Sequence, residues 1–116
     1  MYQTYLITGA TGFLGRAVLQ LLLAHSCRIL ALVMDKDPLA YTIPENVTVF
    51  CGDLTDKDTL RSFFAAGGDN FCVLHCAGLI SIASKPDEAI YRVNVQGTQN
   101  IIDLCCEFGA EKLVYV

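Results

Sequence analysis

The sequence is poor in basic residues and has no long apolar run. Its 8 lysines and arginines face 12 acidic residues, giving a formal net charge of −4. Such a charge disfavours nucleic acid or an anionic membrane as the main partner. The longest apolar stretch, residues 17–25, is interrupted by Gln20 and is too short to cross a bilayer. No signal-peptide pattern opens the chain. We therefore expect a cytoplasmic protein that binds neither nucleic acid nor membrane.

The sequence also lacks the paired Cys and His spacing of a metal knuckle. Six cysteines are present, and the one local cluster is Cys72, His75 and Cys76. On a strand, the two cysteines would face one side and the histidine the other, so we expect no metal site. Most of the cysteines lie in apolar runs, which is typical of small buried side chains in a reducing compartment. No function is assigned to the vicinal pair Cys105–Cys106.

Apolar residues make up 53% of the 116 residues, enough for one domain with a core over 1–116. Short apolar runs alternate with helical patterns, without repeats or linkers. Strands are predicted at 5–8, 28–34, 47–51, 71–77 and 112–116, and helices at 13–24, 56–66 and from about Ser84 to Gly109. This alternation predicts an α/β fold with a doubly wound parallel sheet between two helical layers. The expected strand order is 3-2-1-4-5.

Helical spacing also predicts which helix faces are buried. In the first helix the apolar positions at steps of three or four are Phe13, Ala17, Leu21 and Ala24. In the long helix the corresponding stripe is Ile90, Val93, Gly97, Ile101, Leu104 and Phe108. Gly97 interrupts a helix at a cost of about 1 kcal/mol relative to alanine, which indicates close packing on the sheet.

Three glycines, Gly9, Gly12 and Gly15, follow the first strand at intervals of three and lead into the first helix. Gly9 would turn the chain off the strand, Gly12 would let a pyrophosphate approach the backbone, and Gly15 would let the helix lie close to the sheet. The free N–H groups of the helix N-terminus then face the phosphates. A turn without a ligand needs only one glycine, so we expect a dinucleotide site.

The stretch "TGATGFLG" (8–15), with "GDLTD" (52–56), "LHCAGLISI" (74–82) and "YRVNVQGTQNIIDLC" (91–105), resembles the extended short-chain dehydrogenase/reductase superfamily. That superfamily includes NAD-dependent epimerases and dehydratases, and the dihydroflavonol-4-reductase-like branch looks most similar. The resemblance implies that Asp53 binds the adenine amino group, that Leu54 packs beside the ring, and that Ala77 and Gly78 lie near the nicotinamide ribose. The expected cofactor contacts are Gly9, Thr11, Gly12, Phe13, Leu14, Gly15, Met34, Lys36, Asp53, Leu54, Cys76, Ala77, Gly78 and Asn94.

Several of these residues have simpler interpretations. Asp53 could cap the turn before Thr55. Asn94, in mid-helix where Asn has a poor propensity, is expected to be buried or linked through water. His75 is expected to be a strand residue near the carboxyl edge of the sheet, without a catalytic role.

The superfamily's proton relay, implied by the resemblance, needs a tyrosine with a lysine four residues later. None of the tyrosines at 2, 5, 41, 91 and 115 has one. We therefore expect the chain to be the cofactor-binding part of a longer enzyme and to be inert by itself, because general acid–base transfer needs a tuned group at the reacting oxygen. Its fifth strand would be an apolar edge that favours self-association into a homo-oligomer.

The cofactor is expected to be NADP or NAD. An enzyme that prefers NAD usually has an acid at the end of the second strand, where this chain has Val33. Lys36 could pair with a 2′-phosphate, so the sequence favours NADP. Two other functions stay open: an NAD(P)-sensing module without catalysis, and an S-adenosylmethionine methyltransferase, which the absence of an acid at Val33 disfavours.

Overall fold

The computed structural model describes residues 2–77 and 88–116. Five strands form one parallel sheet in the order β3-β2-β1-β4-β5, so the predicted fold and strand order are confirmed. The strands are β1 Thr4–Thr8, β2 Arg28–Val33, β3 Thr48–Cys51, β4 Phe71–His75 and β5 Lys112–Tyr115. Their register aligns Thr8 with His75 across β1 and β4, so both residues lie at the carboxyl edge of the sheet.

The helices cover both faces of this sheet. They are α1 Phe13–Leu23, α2 Arg61–Ala65, α3 Glu88–Tyr91 and α4 Gly97–Phe108. A 3₁₀ helix, Lys57–Leu60, precedes α2, so the helix predicted at 56–66 begins as a tighter turn. A π-helical turn, Arg92–Gln96, joins α3 to α4, with the Gly97 amide donating to the Arg92 carbonyl. A short 3₁₀ turn, Ala40–Thr42, lies in the β2–β3 connection. No helix in the described ranges is long and apolar enough to cross a membrane.

Two apolar clusters hold the layers together. One packs α2 and α4 on the sheet around three fully buried rings, Phe63, Phe64 and Phe71. The other packs α1 on the opposite face through Leu19 and Leu22, against Ile7 and Ile29 of the sheet. Burying such side chains contributes about 1.5–3 kcal/mol each, so the central strands are fixed from both sides.

The buried face of α1 is not the predicted one. Phe13 is 99% exposed and Leu21 is 71% exposed, whereas Gly15, Leu19 and Leu22 are buried. Two apolar stripes overlap in this helix, and spacing alone does not rank them. The structure buries the stripe that contains Leu19 and Leu22, which pack on the sheet. The stripe predicted for α4 is confirmed at Gly97, Ile101 and Leu104, and Gly109 ends the helix with a left-handed φ of 75°.

Candidate functional site

A cavity of about 190 Å³ opens at the carboxyl edge of the sheet, beside β1 and between the ends of β2 and β4. The chain runs to β2 and β3 on one side of β1 and to β4 and β5 on the other, and such a switch point is where open α/β sheets bind ligands. The lining is mostly apolar with a few polar groups. It consists of Thr8, Gly9, Thr11, Gly12, Leu32, Val33, Met34, Asp37, Gly52, Leu54, Cys76, Ala77 and Val93.

The first two glycines of the loop have the geometry expected of a phosphate cradle. Gly9 has φ 74°, and a Cβ there would lie 2.6 Å from the Ala77 amide nitrogen. Any larger residue would therefore push the loop away from the end of β4. A Cβ at Gly12 would meet only the Gly9 carbonyl oxygen, at 3.3 Å. The backbone at Gly12 is thus open on the side that faces the cavity.

Gly15 serves the loop rather than the sheet. A Cβ at this position would lie 1.8 Å from the Gly9 carbonyl oxygen and 3.1 Å from the Ala10 Cα. We expected Gly15 to let the helix approach the sheet, but the residues that it approaches are Gly9 and Ala10 of the glycine loop. The first turn of α1 packs directly on the backbone of its own glycine loop, which fixes the direction of the helix N-terminus.

Backbone groups, not side chains, are what the start of α1 offers to a ligand. The amides of Phe13 and Leu14 find no acceptor within the described part of the chain, as is usual for a first helical turn. Their side chains are 99% and 42% exposed and do not line the cavity. An anion at this helix N-terminus, beside the cavity residues Thr11 and Gly12, would be held by these N–H groups and by the positive end of the helix dipole.

Asp37 is a site residue that sequence reasoning missed. The Thr11 hydroxyl donates to its Oδ2 at 2.8 Å, and the Leu39 amide donates to its Oδ1 at 2.9 Å. This carboxylate ties the glycine loop to the connection after β2 and lines the cavity. The positions considered after the second strand were Val33 to Lys36, so the next residue, Asp37, was not considered. The Asp-Pro pair at 37–38, which is typical of a turn, was the available signal.

Met34 and Lys36 occupy different positions after β2. Met34 is 63% exposed and lines both the main cavity and a neighbouring one formed with Asp35, Cys51, Gly52, Asp53 and Thr59. Lys36 has a left-handed φ of 61°, is exposed, and lines neither cavity. The structure therefore brings Met34 to the site but does not bring Lys36 to it.

The two carboxylate oxygens of Asp53 differ, because only Oδ1 accepts hydrogen bonds from the turn that follows. Oδ1 accepts from the Thr55 hydroxyl at 2.7 Å and from the Thr55 amide at 2.9 Å. These two hydrogen bonds hold the pKa of Asp53 below its usual value, with a smaller contribution from Arg92. The simpler interpretation, a turn cap, thus describes Oδ1. No described residue donates to Oδ2, so this oxygen can accept from a ligand in the neighbouring cavity.

Leu54 is held in the cavity wall by α4. The Asn100 side-chain amide donates to the Leu54 carbonyl at 2.8 Å, and a Cβ at Gly97 would lie 3.0 Å from the Leu54 Cβ. The close packing predicted at Gly97 is present, but its partner is the loop after β3 rather than the sheet. Two residues of α4 thereby position a side chain that the sequence placed beside the adenine ring.

The end of β4 supplies the remaining wall. Cys76 and Ala77 line the cavity, as does Val93 of the π-helical turn. Asn94, the next residue in that turn, does not line the cavity. Gly78 lies outside the described residues, so its expected contact is not placed. Burial raises the pKa of the Cys76 thiol, which keeps it protonated at neutral pH. Among the described residues, no three Cys, His, Asp or Glu side chains form a metal site.

Comparison with known proteins gives one consistent family. The model of the 3-beta hydroxysteroid dehydrogenase/isomerase family matches residues 6–116. A 3 beta-hydroxysteroid dehydrogenase type 7 from Rattus norvegicus is 39% identical over 118 residues, covering 96% of this chain and 34% of the relative. A protein of Synechocystis sp. with the name of a dihydroflavonol 4-reductase is 32% identical over 120 residues, covering 99% of this chain and 32% of the relative.

Among solved structures, the UDP-glucose 4-epimerase of Thermus thermophilus, in complex with NAD, is 29% identical with a TM-score of 0.79. The match covers 95% of this chain and 36% of the epimerase chain. The chain thus spans about a third of the length of the curated relatives that it matches.

Proposed function

This chain belongs to the 3-beta hydroxysteroid dehydrogenase/isomerase family, and on that basis we propose that its glycine-loop cavity binds the nicotinamide dinucleotide of an oxidoreductase. The resemblance to the extended short-chain dehydrogenase/reductase superfamily is confirmed by the same relatives. The observation that carries the proposal is the open backbone at Gly12, next to the amides of Phe13 and Leu14, which have no acceptor among the described residues. A cradle of this kind suits the pyrophosphate of a dinucleotide.

Each part of the cofactor has residues that suit it. The amides of Phe13 and Leu14 bind the pyrophosphate. Asp53 Oδ2 accepts from the adenine amino group, with Leu54 against the ring, and Ala77 lies towards the nicotinamide end. When bound, the nicotinamide accepts or donates a hydride. The protein's own residues position it and exclude water from the cavity.

For the reaction of the whole protein we propose the interconversion of a secondary alcohol and a ketone. The support is the family and the names of this chain's relatives, which include hydroxysteroid dehydrogenases and a dihydroflavonol reductase. Those names are of enzymes, so nothing favours a sensor without catalysis. The test is an assay of the full-length protein with a 3β-hydroxysteroid and either NAD or NADP. Oxidation of the steroid is measured by the absorbance of the reduced cofactor. Turnover of UDP-glucose instead would contradict it.

The direct test of the binding proposal is titration calorimetry with NADH and with NADPH. We expect one-site binding of at least one of them, and competition by adenosine diphosphoribose, which keeps the pyrophosphate and adenosine but lacks the nicotinamide. An absence of heat with all three compounds would contradict the proposal.

For the choice of cofactor, the position of Lys36 gives no support to NADP. Asp37 and Asp35 line the two adjoining cavities, whereas Lys36 lines neither. A 2′-phosphate brings nearly two negative charges, which these carboxylates would repel. The similar epimerase of Thermus thermophilus was solved with NAD. We therefore propose that NAD is preferred.

Replacing Asp37 by asparagine should reduce the preference for NAD over NADP. The substitution keeps the shape, and the Thr11 hydroxyl can rotate to accept from the new amide, but one negative charge is lost. We expect the ratio of NADPH to NADH affinity to rise about fivefold, from roughly 1 kcal/mol of repulsion removed. Asp69→Asn, which removes the same charge from an exposed loop, is the matched control. An unchanged ratio in Asp37→Asn would show that this acid does not set the preference.

A further inference from the structure

His75 is a buried residue that is hydrogen-bonded to Thr8, which lines the cavity, and to Thr98 of α4, which follows the π-helical turn. Its side chain is 1% exposed and stacks on Tyr115 with the ring centres 5.7 Å apart. Nδ1 lies 2.7 Å from the Thr8 hydroxyl, and Nε2 lies 3.0 Å from the Thr98 hydroxyl. The expectation of a strand residue near the carboxyl edge is confirmed by this position, yet it does not explain why both ring nitrogens have a partner.

The partners of the two threonines fix the direction of each hydrogen bond. The Thr98 hydroxyl donates to the Asn94 carbonyl at 2.7 Å, so its single proton is used and it must accept from His75 Nε2–H. Nδ1 of the neutral ring is then an acceptor, and the Thr8 hydroxyl donates to it. The Thr8 oxygen in turn accepts from the Ala77 amide at 3.2 Å.

The result is one chain of hydrogen bonds with a single polarity. It runs from the Ala77 amide through Thr8 to Nδ1, and from Nε2 through Thr98 to the Asn94 carbonyl. It requires the neutral ring with its proton on Nε2. Burial lowers the pKa of His75 to about 4, so the ring is neutral throughout the physiological range.

One end of this hydrogen-bond chain lies in the cavity lining, and the other end is adjacent in sequence to a lining residue. Ala77 and Thr8 line the cavity on the side of β4 and β1, and Val93, adjacent to Asn94, lines it on the side of the π-helical turn. π-helical turns inside α-helices occur frequently at functional sites and break the regular backbone ladder. The Thr98 hydroxyl ties the Asn94 carbonyl, which belongs to this π-helical turn, to the first turn of α4.

We propose that His75 is a positioning residue for the dinucleotide site: as its Nε2–H tautomer it sets the distance between the Ala77 wall and the Val93 wall. The inference rests on the proposed function of the cavity. It assigns to the buried histidine a role in cofactor affinity that requires no contact with the cofactor and no proton transfer.

The test compares Thr98→Val with Thr98→Ser in the complete protein. Valine keeps the shape of threonine and removes the acceptor of Nε2–H, whereas serine keeps the hydroxyl. We expect Thr98→Val to weaken NADH binding about tenfold and Thr98→Ser to restore affinity to within about threefold of the wild type. Thr42→Val is the matched control, because it removes a hydroxyl that also donates to a helical carbonyl, that of Leu39, outside the cavity.

A second measurement needs no variant. Nitrogen-15 spectra of the histidine rings should show His75 as the Nε2–H tautomer between pH 5.5 and 8. The Nδ1–H tautomer would overturn the inference, as would Thr98→Val binding NADH as tightly as the wild type. If the wild type binds no dinucleotide, the proposed function fails and this inference fails with it. If the wild type binds and both Thr98 variants bind equally, only the role of His75 is lost.

Discussion

Gly12→Val should abolish measurable dinucleotide binding while the protein stays folded. Gly12 has φ −80° and ψ 174°, values that valine adopts without strain, and its Cβ would meet only the Gly9 carbonyl at 3.3 Å. The two Cγ methyls would instead occupy space at the cavity lining, where we propose that the pyrophosphate binds. We expect a loss of affinity of at least about 100-fold, or about 2.7 kcal/mol, in a calorimetric titration with NADH.

The matched control for this variant is Ala17→Val. It adds a β-branched side chain to the exposed face of the same helix, away from the cavity. Its affinity for NADH should equal that of the wild type. Unchanged affinity in Gly12→Val, with its fold verified by circular dichroism, would mean that the glycine loop is not the phosphate site.

Gly15→Ala should destabilise the protein as well as remove binding. In an open helical position alanine is more favourable than glycine by about 1 kcal/mol. Here its Cβ would lie 1.8 Å from the Gly9 carbonyl oxygen, a backbone atom that cannot rotate away. The overpacking costs about 3 kcal/mol or more, so the clash outweighs the propensity. The midpoint of thermal unfolding should fall by roughly 10 °C.

Gly12→Ala is the informative comparison for that result. It adds the same atom next to the same Gly9 carbonyl, but at 3.3 Å. Its melting temperature should stay close to that of the wild type. If the two alanine variants were equally stable, the packing of α1 on its own loop would not be the reason for the third glycine.

The sheet order and the glycine loop could be predicted because they depend on local patterns. Short apolar runs predict the strands, and the helices between them predict right-handed crossovers. The π-helical turn at Arg92–Gln96 could not be predicted in this way, because the residues there fit an ordinary helical stripe. Its one signal in the sequence was Asn94, a residue of poor helix propensity in mid-helix.

Contacts between elements that are distant in sequence were the main omission. The Thr11–Asp37 hydrogen bond joins residues 26 apart, and the contact of Asn100 with Leu54 joins residues 46 apart. Neither follows from spacing, since the loop after β2 has no regular period. Gly97 was likewise predicted to be a close contact, but with the sheet, whereas its observed partner is Leu54.

The most direct test of the central claim is a map of amide chemical-shift changes when NADH is added to the labelled protein. The account predicts that the largest changes fall in four segments that meet at the cavity: residues 8–15, 34–37, 53–54 and 76–77. Within the first segment, the Phe13 and Leu14 amides should move most, because we propose that they bind the pyrophosphate. Changes confined to other surfaces, or no changes at saturating NADH, would contradict the claim that the glycine loop and its cavity form a dinucleotide site.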